Sequence, residues 1–530
     1  MEPQVRTLVD ISQTPAAMQG HADMVLEHAR WATTVFQRYD RPTTMAIVDA
    51  VADIAYENAG FYADWAVKET GFGVAEHKKL KNELTTHSLV DYYRDQDYIN
   101  YRIDEASNII EIPRSAGVIF ALTPSTNPIS TLNYKIIIAL LTRNAIVISP
   151  HPAARECCID AAKKLSAAAV RAGAPEGVIQ IIENPTIPLV ETFMSSEKTN
   201  VILATGGTAM VRAAYSSSNP AIGVGPGNAP VFVDSSADIT QAAKHIVSSK
   251  SFDNSILCTN ESVLITLPEV EKQLVQALRA SGAYICDQDD VEKVRRFLFH
   301  ERGFNIECIG RDATWIAREC GIRVPGNTKI LVAPITQIGV EEKLSREKLC
   351  PVLAMNVAAN QNQAIALARA VLRMTGAGHS AAIHSKDEAT AIKFASAVEV
   401  YRVVVNAPCS QGAAGYGTGL PPTFTIGTGF YGRSSIGENI GPQHLVHWTR
   451  MAYSTDETAD FARYREIRPG HDGPLPIAPS DGVPGSTRSQ KLNSPGPQSI
   501  PTRQDTALDI ETRNQIRQII AEELRDILKK

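Results

Sequence analysis

Cys258 stands in Ser251-Phe252-Asp253-Asn254-Ser255-Ile256-Leu257-Cys258-Thr259-Asn260-Glu261, among small and polar residues and directly after a segment of helical composition. A thiol so placed can be reached by a substrate. Its thiolate is the attacking form, and that form needs polar surroundings rather than an apolar core. Alone, Cys258 fits a protease, a redox switch or an inert residue about equally. Asn127 is the second candidate, in the turn Pro124-Ser125-Thr126-Asn127-Pro128. Asparagine is common in turns, but the same amide can donate to an oxygen that gains negative charge. A third candidate is the turn Thr205-Gly206-Gly207-Thr208, which opens a helical stretch.

These residues need elements to hold them. From residue 115 short apolar runs recur, at Gly117–Leu122, Ala145–Ser149, Val178–Ile182, Val201–Ala204 and Val231–Asp234. Helical stretches at 128–142, 153–172, 187–196 and 208–217 lie between them. Buried strands alternating with helices predict an α/β protein with a parallel sheet covered on both faces. Such a sheet binds ligands at the carboxyl ends of its strands, where the Asn127 and Thr205 turns fall. A second α/β stretch runs from about 240 to 430 and contains Cys258. Residues 20–90 read as helical. Tyr98–Pro113 alternates apolar and polar residues around Glu105-Ala106-Ser107-Asn108, which predicts an exposed hairpin.

A chain of 530 residues favours several domains and an ample core. With 44% hydrophobic and 21% charged residues it reads as soluble and globular. A net charge of −5 without a basic stripe gives no reason to expect nucleic acid. Cysteines at 157, 158, 258, 286, 308, 320, 350 and 409 form no Cys-x-x-Cys pair and no His cluster accompanies them, so no metal site is expected. Their spread fits reduced cytosolic thiols. Met1 to Asp10 lacks the apolar core of a signal peptide, and no apolar run approaches the roughly 20 residues of a membrane span. Gly427-Thr428-Gly429-Phe430-Tyr431-Gly432 spells Gly-x-Gly-x-x-Gly, but no helix-forming sequence follows and no βαβ unit surrounds it. It reads as a glycine-rich loop near the active face.

Near the C-terminus, Arg468–Pro501 is dominated by Pro, Gly and Ser, as in an extended linker. Beyond it Ile516, Ile519, Ile520, Leu524, Ile527 and Leu528 fall on one face of an amphipathic helix. A long tether argues for a partner over docking on the parent body, and the mixed charges of the polar face argue against a membrane surface.

Six segments occur in order: Pro124-Ser125-Thr126-Asn127-Pro128, Ser149-Pro150-His151-Pro152, Ala204-Thr205-Gly206-Gly207, Gly223-Val224-Gly225-Pro226-Gly227-Asn228-Ala229-Pro230, the Cys258 segment, and Glu347-Lys348-Leu349-Cys350-Pro351-Val352. Over roughly residues 20–460 this set resembles the aldehyde dehydrogenase superfamily, and more narrowly the coenzyme A-acylating branch of bacterial microcompartments. The resemblance implies a Rossmann-type NAD-binding domain (1–97 and 114–234), oligomerisation segments (98–113 and 436–465) and a catalytic domain (235–435). It also implies a disordered linker (466–507) and an encapsulation helix (508–530) that joins a shell protein, with the enzyme cytoplasmic and inside a microcompartment. A homodimer or homotetramer is implied too. Cys258 would be the nucleophile and Asn127 its oxyanion donor. Glu347 would hold the nicotinamide ribose, Thr205, Gly206, Gly207 and Gly225 would lie along the cofactor, and Ser149 and His151 would hold the adenosine ribose.

Two departures matter. The hydrolytic branch carries Lys-Pro-x-Glu where this chain has Ser149-Pro150-His151-Pro152, so the adenosine contacts must differ. That branch also carries a water-activating glutamate where Val224-Gly225-Pro226-Gly227-Asn228 has no carboxylate. Without a base, water attacks a thioester poorly, whereas the coenzyme A thiol is more acidic and more nucleophilic. The expected reaction therefore takes a short-chain aldehyde, propionaldehyde favoured, through a Cys258 thioester to acyl-CoA and NADH. The rivals are a hydrolytic dehydrogenase and a catalytically weak scaffold acting through its last helix.

Overall fold

The computed structural model describes residues 14–300, 303–455, 461–464, 467, 474 and 477–479. The expected encapsulation helix (508–530) lies outside these residues, as does nearly all of the linker (466–507). Among the described residues no helix is long and apolar enough to cross a membrane, and no group of three or more His, Cys, Asp or Glu side chains could hold a metal ion.

Five helices, Pro15–Phe36, Arg41–Glu57, Ala59–Thr70, Ala75–Leu84 and His87–Tyr93, occupy the region that reads as helical. The first two start as capping rules require. The Thr14 and Asp40 side chains accept from the backbone N–H groups of Ala17 and Thr43, and proline stands in the first turn of each helix.

The next segment forms a five-stranded parallel sheet in the order Ile179–Ile181, Ala145–Pro150, Val118–Thr123, Val201–Thr205, Ala221–Val224. The strands Val118–Thr123 and Ala145–Pro150 are buried at every position. Both faces are covered, so they read as continuous apolar runs rather than alternating ones. Chain order runs outward to one side from Val118–Thr123 and then to the other from Val201–Thr205. The reversal opens a crevice between the carboxyl ends of these two strands. The helix Pro128–Leu141, buried along its whole length, leaves from the first strand, and Thr208–Ser216 leaves from the second.

A second, seven-stranded sheet is also parallel, in the order Ala283–Ile285, Ile330–Pro334, Val352–Val357, Glu261–Thr266, Ala229–Val233, Ala381–His384, Val403–Val405. This corrects the boundary drawn at 234. The run expected at Val231–Asp234 is the strand Ala229–Val233, and it pairs with Glu261–Thr266 and Ala381–His384. The fifth strand of the first sheet is instead Ala221–Val224, so the division falls in the loop 225–228. A four-residue strand ending in Gly223-Val224 before Gly-Pro-Gly resembles a turn in sequence, which is why it was not expected.

The hairpin is present. Arg102–Asp104 pairs antiparallel with Ile109–Ser115 around residues 105–108. It gains a third strand from far along the chain, Val446–Ala452, paired with Ile109–Ser115 over seven positions.

Candidate active site

The turn after Val118–Thr123 places Asn127 at the start of the helix Pro128–Leu141. Asn127 makes no capping hydrogen bond with its side chain, so the carboxamide is left for other partners. Its Oδ1 accepts from the Lys81 ammonium, and its Nδ2 donates to Thr126 Oγ1 at 3.2 Å. An Oδ1 held by a cation turns the NH2 group away from Lys81, so the remaining N–H is available to a substrate oxygen.

Cys258 follows the helix Ile239–Ser251. Between them the backbone passes through Asp253, Asn254 and Ser255 with φ of 49°, 52° and 63°. Three consecutive left-handed L-residues are unfavourable and persist only where the surroundings hold them. Here the holding groups are visible. The Asp253 carboxylate accepts from Val74 N–H (2.6 Å), from Lys78 Nζ (3.1 Å) and from Lys81 Nζ, and its backbone N–H donates to His77 Nδ1 at 2.9 Å. Asn254 Nδ2 donates to the Gly310 carbonyl at 2.9 Å. Beyond the cysteine, Thr259 Oγ1 donates to the Ser410 carbonyl (2.8 Å) and Asn260 Nδ2 to the Ser249 carbonyl (2.6 Å). Gly227 closes over the segment from the other side, where a Cβ would lie 1.9 Å from the Cys258 carbonyl oxygen. The loop without a carboxylate thus packs directly on the cysteine.

The setting of the thiol differs from the sequence expectation. Cys258 is partly accessible, but burial and the Glu347 carboxylate push its pKa up to about 12, against a smaller opposing effect of the Arg402 guanidinium. At rest it is a thiol. Glu347 reaches the same place, with Oε1 accepting from the Gly227 N–H at 3.2 Å. Burial raises its pKa to about 8, opposed by the Gly227 hydrogen bond and by Lys250 and Lys348. The carboxylate absent from 224–228 is therefore partly replaced in space by Glu347.

On the cofactor side, Thr205 ends its strand, and Gly207 is the N-cap of Thr208–Ser216 with no side chain to satisfy the first N–H groups. A helix start with uncapped amides at a sheet switch point fits a pyrophosphate. Thr205 Oγ1 lies 3.3 Å from Thr425 Oγ1, and a Cβ on Gly225 would meet nothing within 4 Å. Ser149 is buried in its strand opposite Leu122. His151 Nδ1 accepts from the Ala153 N–H at 3.1 Å, capping a short 3₁₀ turn, and burial lowers its pKa to about 4. Its ring is neutral and leaves only Nε2 for a ligand.

Lys81 links Asn127 to the Cys258 segment, and Gly227 touches both Cys258 and Glu347, while Gly225 follows the strand end Val224 that pairs with Thr205. The structure adds residues that the sequence reading missed. Lys78 and Lys81 sit three apart on Ala75–Leu84 and are almost fully buried, although a lysine-rich helix ordinarily reads as a solvated surface. Arg402 is buried, donates to the carbonyls of Gly427 and Gly437, and acts electrostatically on both Cys258 and His379. His379 is fully buried, its Nδ1 lies 2.9 Å from Ser380 Oγ, and its Nε2 has no partner among the described residues. Burial, aided by Arg402, drops its pKa to about 3 and keeps it neutral. No spacing pattern in the sequence marks either residue. The 427–432 glycines follow the expected reading: Phe430–Gly432 is a 3₁₀ turn, not the start of a phosphate-binding helix.

The chain matches the model of the aldehyde dehydrogenase family over residues 3–293. It is 40% identical over 419 residues to an aldehyde-alcohol dehydrogenase of Clostridium acetobutylicum, covering 78% of this chain and 47% of that protein. The chain thus spans about half the length of that relative. A crystal structure of an acetylating aldehyde dehydrogenase from Geobacillus thermoglucosidasius superposes with a TM-score of 0.81 at 36% identity, covering 84% of this chain and 99% of that one. A propionaldehyde dehydrogenase from the Clostridium phytofermentans fucose utilisation microcompartment superposes with a TM-score of 0.73 at 28% identity, covering 82% and 97%. On the family match, the shared fold and the near-complete superposition, this chain belongs to the aldehyde dehydrogenase family.

Proposed function

We propose that the chain is a coenzyme A-acylating aldehyde dehydrogenase that converts a short-chain aldehyde, propionaldehyde favoured, with NAD and coenzyme A to acyl-CoA and NADH. One observation carries this reading: the loop 225–227 seated on Cys258 holds no carboxylate to activate water. The similarity to an acetylating aldehyde dehydrogenase and to a propionaldehyde dehydrogenase supports it.

Cys258, once deprotonated, adds to the aldehyde carbon. The oxyanion so formed meets the free Asn127 N–H and a backbone N–H of the cysteine segment. The Thr205–Gly207 turn would hold the phosphates of NAD and Glu347 its nicotinamide ribose, and the bound NAD would supply the hydride acceptor. Loss of hydride from the aldehyde carbon leaves a thioester on Cys258. The coenzyme A thiol gives up its proton and displaces the Cys258 thiolate, releasing acyl-CoA. That proton ends on the displaced Cys258 sulfur, which rests as a thiol.

The hydrolytic rival has one observation in its favour: the Glu347 carboxylate accepts from the Gly227 N–H of that loop, a place from which it would serve water as a base. Steady-state rates with acetaldehyde, propionaldehyde and butyraldehyde, with and without coenzyme A, decide between them. Fast NADH formation without coenzyme A means hydrolysis. No NADH under any condition leaves the scaffold reading.

The tail is assigned to a shell protein of a bacterial microcompartment, on its tethered amphipathic pattern at 508–530. Removing residues 505–530 then leaves catalysis intact and abolishes co-purification with the shell. Loss of catalysis instead assigns the segment to the enzyme body. The strand Val446–Ala452 lies at the edge of its sheet with most side chains exposed, which supports assembly into homodimers or homotetramers.

A further inference from the structure

The Asn127 turn and the Cys258 segment do not touch through a direct hydrogen bond of their own. They are joined by two lysines of the helix Ala75–Leu84. Lys78 Nζ donates to the Thr126 carbonyl at 2.9 Å and to Asp253 Oδ2 at 3.1 Å. Lys81 Nζ donates to Asn127 Oδ1 and to the same Asp253 oxygen. All three charged side chains are at most 3% exposed. Burying charge is costly, and replacing such a cluster by apolar residues often stabilises a protein, so fold stability is a poor explanation for it.

We propose that Lys81 is a positioning residue for the oxyanion: it fixes the Asn127 carboxamide with its NH2 group toward the aldehyde oxygen and polarises that group into a stronger donor. Two physical effects support this. An amide can flip its oxygen and nitrogen with little change in shape, and only a partner decides the orientation. A cation on the amide oxygen cannot be replaced by the NH2 end, so the flipped form is excluded. Hydrogen bonds in a chain also strengthen one another, so a donor at Oδ1 enhances the donor strength of Nδ2 in a buried site. Asp253 favours the charged ammonium and holds it in place, which ties the oxyanion donor to the backbone that carries the nucleophile. Burial pushes the Lys81 pKa down to about 7 while Asp253 opposes the fall. The inference rests on the functional reading above.

The test uses the full chain and the pair K81M/D253N, because K81M alone strands Asp253 with Lys78 only and can fail to fold. The buried cluster carries two lysines and one aspartate in the wild type and one lysine in the double variant, so its net charge is +1 in both. The grip on Asn127 is lost, together with the Asp253 carboxylate's pairing with Lys78 and its charge beside the Val74 N–H. The expected result is a fall in the rate of the NADH-forming acylation step of roughly 10- to 100-fold, against about 10²- to 10³-fold for N127A. In the N127A background the same pair should lower the rate by less than about threefold, because residues that act as a unit are not additive. The readout that separates positioning from damage is alkylation of Cys258 by iodoacetamide, followed on the Cys258 peptide by mass spectrometry. Alkylation forms no oxyanion, and the charges acting on the thiol are those of Glu347 and Arg402. Its rate in K81M/D253N should match the wild type.

Additive losses in the N127A background, an alkylation rate that falls in step with acylation, or unchanged acylation in K81M/D253N each overturn the inference while the functional reading stands. A wild-type chain that reduces no NAD with any aldehyde overturns the functional reading and the inference together.

Discussion

The Cys258 turn and the Thr205–Gly207 turn are built on opposite plans. The Cys258 turn is over-determined, with three left-handed residues, a buried aspartate gripped by two lysines, and a glycine pressed on the cysteine carbonyl. The Thr205–Gly207 turn is open, and its helix begins with amides that no side chain caps. On the proposed function, the difference follows from what each turn would hold. A covalent step needs the nucleophile and its oxyanion donor fixed to a fraction of an ångström. A dissociable cofactor needs donors that are free when it leaves, because any internal cap would compete with its phosphates.

The strongest way to break this contrast is at the rigid turn. C258A should lower acyl-CoA formation by about 10⁶-fold, as loss of a nucleophile does elsewhere, and NADH formation should fall with it. A variant that still forms acyl-CoA removes Cys258 from the mechanism. Next in size is G227A. Its methyl group would sit 1.9 Å from the Cys258 carbonyl oxygen, so the segment must shift. A displacement near 1 Å costs on the order of 10²-fold in kcat, with a normal far-ultraviolet circular dichroism spectrum.

At the open turn the expected effects are smaller and opposite in kind. G207D places a carboxylate where it can cap Thr208–Ser216, whose N-cap backbone is extended and suits an aspartate. The helix should gain only about a few tenths of a kcal/mol. KM for NAD should rise roughly tenfold through competition with the phosphates, with little change in kcat at saturation. Loss of kcat at unchanged KM would mean that this turn is not the phosphate site.

The smallest effect is on the thiol itself. Burial and Glu347 hold Cys258 protonated, with its pKa raised to about 12. Because the folded pKa lies above neutrality, the thiolate fraction and the alkylation rate should climb with pH across the alkaline range. E347Q removes a negative charge beside the thiolate, lowers the thiol pKa and should speed alkylation at pH 8 by up to about tenfold, one pKa unit's worth. Slower alkylation in E347Q would show Glu347 acting as the base for Cys258 rather than as a repelling charge.

What could be read from the sequence and what could not divides along physical lines. The strands Val118–Thr123, Ala145–Pro150 and Val201–Thr205 were legible because doubly covered parallel strands are apolar throughout. The following helices were legible to within about two residues. Ala221–Val224 was not, because it is short and runs into Gly225-Pro226-Gly227. The assignment of Ala229–Val233 to the second sheet could not be foreseen either, since pairing partners some 30 and 150 residues away leave no local mark. At the site, Cys258 and Asn127 stood out by type and setting and Glu347 by the family resemblance, and Lys81 and Gly227 link them. Lys78, Lys81, Arg402 and His379 did not stand out. A buried charge differs from a solvated one only by its surroundings, which are tertiary. The polar context expected around Cys258 was misleading for the same reason: Asp253, Asn254 and Thr259 spend their hydrogen bonds on the scaffold, not on the thiol.

The central claim is that Cys258 hands its acyl group to a thiol and not to water. Rapid mixing of the protein with propionaldehyde and NAD, without coenzyme A, tests it directly by following NADH and the mass of the Cys258 peptide. The account predicts a burst of about one NADH per active site, a propionyl group left on Cys258, and renewed turnover on adding coenzyme A. Sustained NADH formation with free propionate and no acylated Cys258 would contradict it.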